Sequence, residues 1–420
     1  MTILRVALDV PVPKLFDYRS EGATQADIGY RALVPFGNKR LVGVILDIAT
    51  KSEIENSRLR PVDKILRDVA PLPHEWLALA EFCSRYYHCP TGEVISAALP
   101  PRLRTSKTVP ALASEYVLTS AGKDALATIP TRRRRLRALL ERLSSGRASE
   151  SELDMEGRSV RSSLKSAIES GWVASIDPRR SDPRFVHVHA LTAEQQQAVN
   201  LLHEGLEKFR VSLLFGVTGS GKTEIYFHLI AEILARRKQA LILVPEIALT
   251  PSLDAAFRDR FPGACIVTQT SAMAELERVR GWLLAHSGRA DIVLGTRLAV
   301  FTPLPNLGLV VVDEEQDASF KQQEGVRYSA RDLAVTRAHI AGAPVVLCSA
   351  TPSLESFHHA TSGKYDLVPL TRRAIDRAVL PAIRMIDTRA HPPQEGFAPP
   401  LLEALAARIA RGEQSLVFLN

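Results

Sequence analysis

A glycine-rich segment in the middle of the chain has the residue types and spacing of a phosphate-binding loop. Its eight residues are Gly216, Val217, Thr218, Gly219, Ser220, Gly221, Lys222 and Thr223. The segment lies between an apolar run, VSLLFGV, and a helical stretch, EIYFHLIAEILARR. Glycines let successive backbone N–H groups curve around phosphate oxygens, and the N-terminus of the following helix adds a positive dipole. The pattern predicts that Lys222 reaches the β- and γ-phosphates of a nucleoside triphosphate and that the Thr223 hydroxyl ligates Mg²⁺.

Acidic residues follow another apolar run later in the chain, where LGLVVV leads directly into Asp313, Glu314, Glu315 and Gln316. Ligands bind at the carboxyl edge of a parallel sheet, so an acid at the end of a buried strand is placed to hold Mg²⁺ opposite the phosphate loop. We therefore expect Asp313 to ligate the metal and Glu314 to orient and deprotonate the attacking water. The alternative interpretation is a solvated helix start, in which acids favour the helix dipole.

A third short motif, Ser349-Ala350-Thr351, follows the apolar residues VVLC. Hydroxyl groups at this position can link a hydrolysis site to a bound polymer through hydrogen bonds. The tripeptide is common by itself, so its value lies in its order and spacing relative to the other two motifs.

The elements that position these motifs alternate between strands and helices from about residue 185 onward. The apolar runs are VSLLFGV, ALILVP, DIVLG, LGLVVVDEE and PVVLCSATP. Continuous rather than alternating apolar residues favour strands that are covered on both faces, as in a parallel sheet with helices on each side. This part is therefore predicted to be an α/β domain.

The chain before this domain divides into two further regions. Residues 1–105 contain short runs bounded by turn residues, which predict a small β-rich domain followed by a helix in HEWLALAEFCSRYYH. Residues 106–182 carry short amphipathic patterns in RRLRALLERL, SESEL and VRSSLKSAIESGWV, which favour a winged-helix-like DNA-binding module. A basic three-helix bundle with solvated faces remains the alternative, and Arg132 to Arg135 could contact phosphates or simply start a helix.

Composition supports a polyanionic partner for the second region. The net charge of the chain is +7, and residues 101–180 contain 16 Lys or Arg against 9 Asp or Glu, a difference of seven that equals the whole excess.

With 46% hydrophobic and 24% charged residues, the 420-residue chain is typical of a globular protein of about two to four domains. We find no apolar window of membrane-spanning length and no secretion signal, which predicts a cytoplasmic protein. The four cysteines lack the spacing of a disulfide framework or a zinc cluster.

In order and type, GSGKT, DEEQ and SAT resemble motifs I, II and III of superfamily 2 helicases. Longer strings resemble the PriA family of bacterial replication-restart helicases, also called primosomal protein N′. They are GVTGSGKTE, LVPEIALTP, GTRLAVFTPLPNLGLVVVDEEQDASFKQQEGVRYSARD, CSATPSLES, VPVPKLFDY and ALVPFGNKRLVGVI. The resemblance implies a RecA-like lobe over residues 183–410, ATP and Mg²⁺ as cofactors, and ATP-dependent 3′ to 5′ DNA unwinding at stalled forks. It also implies primosome and single-strand-binding proteins as partners, with no membrane.

The resemblance assigns roles to individual residues. It implies that Gln195 in LTAEQQQAV recognises adenine and that Thr296 and Arg297 touch the DNA backbone. An aromatic-rich loop that couples single-strand binding to hydrolysis corresponds to Phe320, Lys321, Gln322, Gln323 and Tyr328, and aromatic rings can stack on bases without reading sequence.

The N-terminal strings correspond to the family's domain that grips a nascent 3′ DNA end. The implied pocket for the terminal nucleotide consists of Phe16, Asp17, Tyr18 and Gly37, with Arg60 at the place of a basic residue. Packing in a strand core is the alternative for Phe16 and Tyr18.

The sequence also departs from the family pattern. Gln316 stands where the family usually has histidine, and TQTSAM at Thr268 to Met273 replaces a motif around His-Ser. The sequence ends at SLVFLN, where the family would continue into a second RecA-like lobe with the arginine finger, a cysteine-rich zinc-binding insert and a C-terminal domain. Residues 411–420 are expected to begin that second lobe. The chain by itself is therefore expected to bind ATP and DNA but to hydrolyse and unwind poorly. A fork-DNA-binding module and an unrelated P-loop NTPase remain as alternatives.

Overall fold

An antiparallel sheet forms the N-terminal part of the chain in the computed structural model, which describes residues 2–109, 112, 115–130, 133–146, 148–149, 153, 160–176, 183–374 and 382–418. Its strands are β1 (Thr2–Ala7), β2 (Phe16–Ser20), β3 (Arg31–Phe36), β4 (Lys39–Ala49) and β5 (Lys64–Leu66). Their order is β2-β1-β4-β3-β5, with every pair antiparallel. Alternate residues such as Leu4, Val6 and Tyr18 point to one face and are buried there.

Two helices connect this sheet to the rest of the chain, α1 (His74–Tyr86) and α2 (Thr91–Ala98). The helix expected in HEWLALAEFCSRYYH is confirmed as α1. Its buried face includes Trp76, whose indole N–H donates a hydrogen bond to the carbonyl of Phe301 at 2.5 Å. The N-terminal part is thereby fastened to the α/β part through a buried contact.

A small unit of helices and strands follows, whose described residues include three named helices and a three-stranded antiparallel sheet in the order β7-β6-β8. Its elements are β6 (Glu115–Leu118), α3 (Ser120–Thr128), α4 (Arg134–Ser144), β7 (Ala148–Ser149), α5 (Arg161–Glu169) and β8 (Val173–Ile176). Its core includes Leu136, Leu139, Leu140 and Leu143 of α4. Helices packed on a small sheet agree with a winged-helix-like arrangement.

Two details of this unit differ from expectation or lie beyond description. The helical pattern in SESEL is wrong at Ser149, which pairs with Glu115 as part of strand β7. Within SESEL, only Ser149 and Leu153 are among the described residues. Arg132, the first residue of the arginine run, also lies outside them. Arg133, Arg134 and Arg135 are exposed at the start of α4, and phosphate contact by the run stays a prediction.

The predicted α/β domain contains a seven-stranded, wholly parallel sheet in the order β11-β12-β10-β13-β14-β9-β15. The strands are β9 (Val211–Gly216), β10 (Gln239–Leu243), β11 (Ile266–Gln269), β12 (Ile292–Gly295), β13 (Leu307–Val312), β14 (Val345–Ser349) and β15 (Asp366–Leu370). The helices are α6 (Ala193–His203), α7 (Lys222–Ala235), α8 (Pro251–Arg260), α9 (Glu275–His286), α10 (Ala330–Ala341) and α11 (Leu354–Thr361).

All five predicted strands of this sheet are confirmed, and the predicted fold class with them. The two strands that the sequence did not reveal, β11 and β15, are the two edges of the sheet. An edge strand has one unpaired side and tolerates proline, as at Pro369. Such strands lack the long apolar runs that mark the central ones.

Residues 375–420 form a separate compact unit with one helix among its described residues, α12 (Pro399–Ala410). None of the described helices has both the length and the apolar character that crossing a membrane requires. None of the four cysteines forms a disulfide, and no group of possible metal ligands occurs among the described residues.

Candidate nucleotide and DNA sites

The glycine-rich loop joins β9 to α7 at the carboxyl edge of the parallel sheet. Gly219 and Gly221 have φ of +80° and +82°, in the left-handed region that glycine adopts without strain. A Cβ on Gly216 would lie 2.5 Å from the Ser220 hydroxyl. Lys222, the first residue of α7, is 9% exposed and donates a hydrogen bond to the Gly216 carbonyl at 2.9 Å. The loop therefore closes around its own lysine.

Asp313 lies beside this loop, as the sequence predicts. The hydroxyl of Tyr226, in the second turn of α7, donates to Asp313 Oδ2 at 3.3 Å. Burial raises the pKa of the Asp313 carboxyl, and the charge of Glu314 raises it further, while Lys222 acts in the opposite direction. The acid at the end of β13 and the start of α7 thus face each other.

The residues present fit a triphosphate with a divalent cation. The Ser220 hydroxyl is buried within the loop without a hydrogen-bond partner, as a group that faces a phosphate oxygen would be. Lys222, Thr223 and Asp313 supply the ammonium, hydroxyl and carboxylate that such a ligand requires. We call the loop, Asp313 to Gln316 and Ser349 the P-loop edge.

Gln316 connects the second and third motifs. Its side-chain N–H donates to Glu314 Oε2 at 2.9 Å, and its amide oxygen accepts from the Ser349 hydroxyl at 2.6 Å. Ser349 Oγ in turn accepts from the backbone N–H of Thr351 at 2.9 Å. An amide carries both a donor and an acceptor, so glutamine can bridge these motifs at the position where the family usually has histidine.

Glu314 is held in an unusual backbone conformation. Its φ is +48°, which is uncommon for a residue with a Cβ and is stabilised only by its surroundings. Its backbone N–H donates to Asp313 Oδ1 at 3.1 Å. The turn therefore fixes the direction of both carboxylates.

Gln195 lies against the phosphate loop and is 4% exposed. Its side-chain N–H donates to the Ser220 carbonyl at 2.8 Å, and its amide oxygen accepts from the backbone N–H of Thr192 at 2.9 Å. Both ends of the amide are therefore used inside the protein, at the N-terminus of α6. Adenine recognition by Gln195 remains a prediction.

Thr296 and Arg297 follow strand β12. Thr296 is buried, whereas Arg297 is partly exposed and donates to the Ser319 carbonyl at 3.1 Å. Arg297 also lies 3.6 Å from the carboxylate of Glu246. The arginine thus joins the strand end to the loop that contains Phe320.

The aromatic residues of that loop require a correction. Phe320 and Tyr328 are 2% and 1% exposed, and the Tyr328 ring packs edge-on against Phe301 at 5.1 Å. Stacking of these rings on bases is therefore not possible in this conformation, because the rings form part of the core. Lys321 is exposed, and its ammonium lies 5.2 Å from the ring centre of Tyr87, the residue that follows α1.

Four of the five residues assigned to the 3′-end pocket come together around one turn of the N-terminal sheet. The Tyr18 hydroxyl donates to the Pro35 carbonyl at 3.1 Å, and Phe16 packs edge-on against Phe36 at 5.2 Å. The Arg60 guanidinium donates to the carbonyl of Gly37 at 3.0 Å, and burial raises the pKa of Tyr18 to about 12. We call Phe16, Tyr18, Gly37 and Arg60 the N-terminal turn cluster.

Asp17 points to the opposite face of β2, as strand alternation requires. Its carboxylate accepts a hydrogen bond from the Ser52 hydroxyl at 2.5 Å and lies 3.9 Å from the Arg5 guanidinium. The structure therefore separates Asp17 from the turn cluster.

Comparison with known proteins gives two family matches. Residues 5–100 match the family model for the 3′DNA-binding domain of PriA, and residues 192–359 match the DEAD/DEAH box helicase model. The replication restart protein PriA of Haemophilus influenzae is 38% identical over the whole of this chain and 58% of its own length. The Rickettsia conorii protein of the same name is 32% identical over the whole chain and 54% of its own length, and the Bacillus subtilis one is 41% identical over 55% of the chain and 29% of its own length.

The chain resembles PriA proteins along its whole length, and its N-terminal part matches a PriA family model. It spans little more than half the length of the curated relatives that it matches throughout. The helicase match includes the whole P-loop edge, and the DNA-binding match includes the N-terminal turn cluster.

Glu315 is the main functional candidate that sequence reasoning missed. Its side chain is fully buried and accepts hydrogen bonds from the Ser353 N–H at 2.7 Å, the Ser356 hydroxyl at 2.9 Å and the Arg331 guanidinium at 3.2 Å. These partners lie at the N-termini of α10 and α11. Glu315 therefore holds the strand end that carries Asp313 and Glu314 against two helices. A third acid after a buried strand was the available signal.

Proposed function

We propose that the chain forms the nucleotide-binding and fork-binding part of an ATP-dependent 3′ to 5′ DNA helicase that acts in replication restart. The observation that carries this proposal is the meeting of the phosphate loop with Asp313 and Glu314 at one edge of the sheet, with Gln316 extending from Glu314 to Ser349. Similarity to replication restart proteins supports the substrate class.

In this proposal each residue of the P-loop edge has one task. Lys222 binds the β- and γ-phosphates, and Thr223 and Asp313 hold the cation. Mg²⁺–ATP supplies the γ-phosphoryl group and neutralises the charge that develops on it. Glu314 orients the attacking water and accepts its proton on the side-chain carboxylate. Gln316 and Ser349 keep that carboxylate in position.

DNA recognition is divided among the regions. The β-rich domain, residues 1–105, binds a 3′ DNA end, and the winged-helix-like domain, residues 106–182, contributes a basic surface. In the helicase lobe, residues 183–410, the side chains of Thr296, Arg297 and Lys321 contact the backbone of a single DNA strand. Primosome and single-strand-binding proteins are the proposed protein partners. A location in the cytoplasm fits this role.

The test compares ATP hydrolysis by the 420-residue chain with and without forked DNA. Stimulation by the fork, absent in Lys222→Ala, supports the helicase proposal. Tight fork binding without turnover would instead support a module that binds forks and ATP with little helicase activity of its own. An ATP hydrolysis rate that does not change when DNA is added would favour an NTPase that acts on another polymer.

A further inference from the structure

A cavity beside the Thr296–Arg297 segment has a lining rich in hydrogen-bond donors that none of the assigned roles uses. It lies between the segment that follows α2 and helix α9. Its lining includes Arg104, Gln269, Thr270, Arg278, Trp282 and Thr302. The backbone carbonyl of Gln269 accepts a hydrogen bond from the N–H of Thr296 at 3.2 Å. The cavity is therefore continuous with the strand end expected to contact DNA.

Two buried donors in this lining have no acceptor. They are the Nε–H of Arg278 and the indole N–H of Trp282, and the Trp282 side chain is 3% exposed. Leaving a buried donor unpaired is unfavourable, so such groups are rare unless a ligand completes them. Both belong to the same helix, α9, one turn apart, and both border the same cavity.

The charge in the cavity is also incompletely balanced. Neither Arg104 nor Arg278 forms an ion pair within 4.0 Å in the described part of the chain. Partial burial of the otherwise exposed Arg104 side chain lowers its pKa, Asp9 partly offsets this shift, and repulsion from Arg278 lowers the pKa again. Two guanidinium groups that repel each other across a cavity are stabilised by an anion placed between them.

We propose that this cavity binds one backbone phosphate of a single DNA strand, with Arg104 and Arg278 as its charged ligands and Trp282 as a neutral donor. The inference rests on the proposed DNA-binding function and extends the strand's path from Thr296 and Arg297 to the segment after α2. Arg104 is exposed, so a phosphate can reach the site from solvent. The contact requires no base, and the site therefore does not select sequence.

The test measures the affinity of the 420-residue chain for a fluorescent single-stranded oligonucleotide across a salt series. Arg278→Gln and Arg104→Gln should each weaken binding about tenfold, the loss expected for a charge-assisted hydrogen bond. Each should also reduce the slope of log affinity against log salt by about 0.7, the value for one phosphate on a single strand. The double variant should lose less than the product of the two single losses, because both arginines hold the same phosphate.

Arg280→Gln is the matched control, since Arg280 is an exposed arginine of the same helix and does not line the cavity. Thermal unfolding of each variant checks the fold, and the exposed Arg104 provides a test that does not depend on a buried substitution. Losses in Arg278→Gln and Arg104→Gln no larger than in Arg280→Gln would overturn the inference while leaving the proposed function intact. Failure of the unsubstituted chain to bind single strands would overturn both.

A second arm distinguishes a DNA phosphate from a free anion. Inorganic phosphate is titrated without DNA, and the fluorescence of Trp282 is isolated by comparison with Trp282→Phe. Arg104→Gln and Arg278→Gln could weaken the binding of inorganic phosphate and leave DNA affinity unchanged. That result would show a site for free anions and contradict the assignment to a DNA phosphate.

Discussion

The P-loop edge and the N-terminal turn cluster position their functional side chains in different ways. At the P-loop edge, side chains bond mostly to other side chains, as in the series from Glu314 through Gln316 to Ser349. In the turn cluster, Tyr18 and Arg60 bond to backbone carbonyls of the turn. A network of side chains fails together when one member is removed, whereas separate contacts to the backbone are lost one at a time.

The difference fits the two proposed tasks. Hydrolysis needs charges held in fixed directions within a buried site, because preorganised groups lower the barrier without further rearrangement. Holding a DNA end needs an accessible surface, and Arg60 and Gly37 are exposed. We therefore expect large effects of substitution at the P-loop edge and graded effects in the N-terminal domain.

The largest expected effect is that of Lys222→Ala. Fork-stimulated ATP hydrolysis should fall at least about a hundredfold, because the ammonium that stabilises the phosphates is lost from a buried site. Fork affinity measured by fluorescence anisotropy at low salt should change little. The exposed Lys208 provides the control variant Lys208→Ala. Loss of fork binding in Lys222→Ala would show that the two regions do not have separate roles.

Glu315→Gln should act on both stability and hydrolysis. Replacing the carboxylate leaves Arg331 without its buried partner, and breaking such a pair costs about 3 kcal/mol or more in free energy of unfolding. Hydrolysis should fall at temperatures where the chain is still folded, because the strand end that carries Asp313 and Glu314 loosens. Denaturant unfolding and ATPase rates measure the two effects. The exposed Glu355→Gln should show neither, and a Glu315→Gln chain as stable as that control would contradict the role of this buried acid.

Gln316→Ala tests the link between the second and third motifs. The ratio of DNA-stimulated to basal ATPase should fall about tenfold, within the range of coupling energies found for residues between two sites. Gln316→His should restore much of the ratio, since histidine also carries a donor and an acceptor. A fall in basal rate with an unchanged ratio would indicate a purely structural residue.

Asp17→Ala should give the smallest effect. Because Asp17 lies on the opposite face of β2 from the turn cluster, binding to forks with a free 3′-hydroxyl leading-strand end should weaken by no more than about threefold, the value of one modest hydrogen bond. The readout is the affinity difference between forks ending in a 3′-hydroxyl and forks ending in a 3′-phosphate. Equal losses on both forks would remove Asp17 from the 3′-end pocket and agree with its position on the opposite face of β2.

Much of the P-loop edge could be predicted because its motifs follow apolar strands directly. The strand ends of β9, β13 and β14 carry the three motifs, and parallel strands bring their carboxyl ends to one edge. The edge strands β11 and β15 escaped prediction because their short, more polar sequences resemble loops. Alternation along β2 would have been enough to separate Asp17 from Phe16 and Tyr18.

The sequence by itself determined the order of the motifs, the class of fold and the resemblance to PriA proteins, because these depend on residue types at fixed spacing along the chain. Only the tertiary structure decided that Glu315 holds two helix N-termini, that Phe320 and Tyr328 are buried, and that Arg104 and Arg278 border one cavity. Each of these facts joins residues from separate segments. Burial and hydrogen-bond partners arise from how segments pack, and local sequence does not encode that packing.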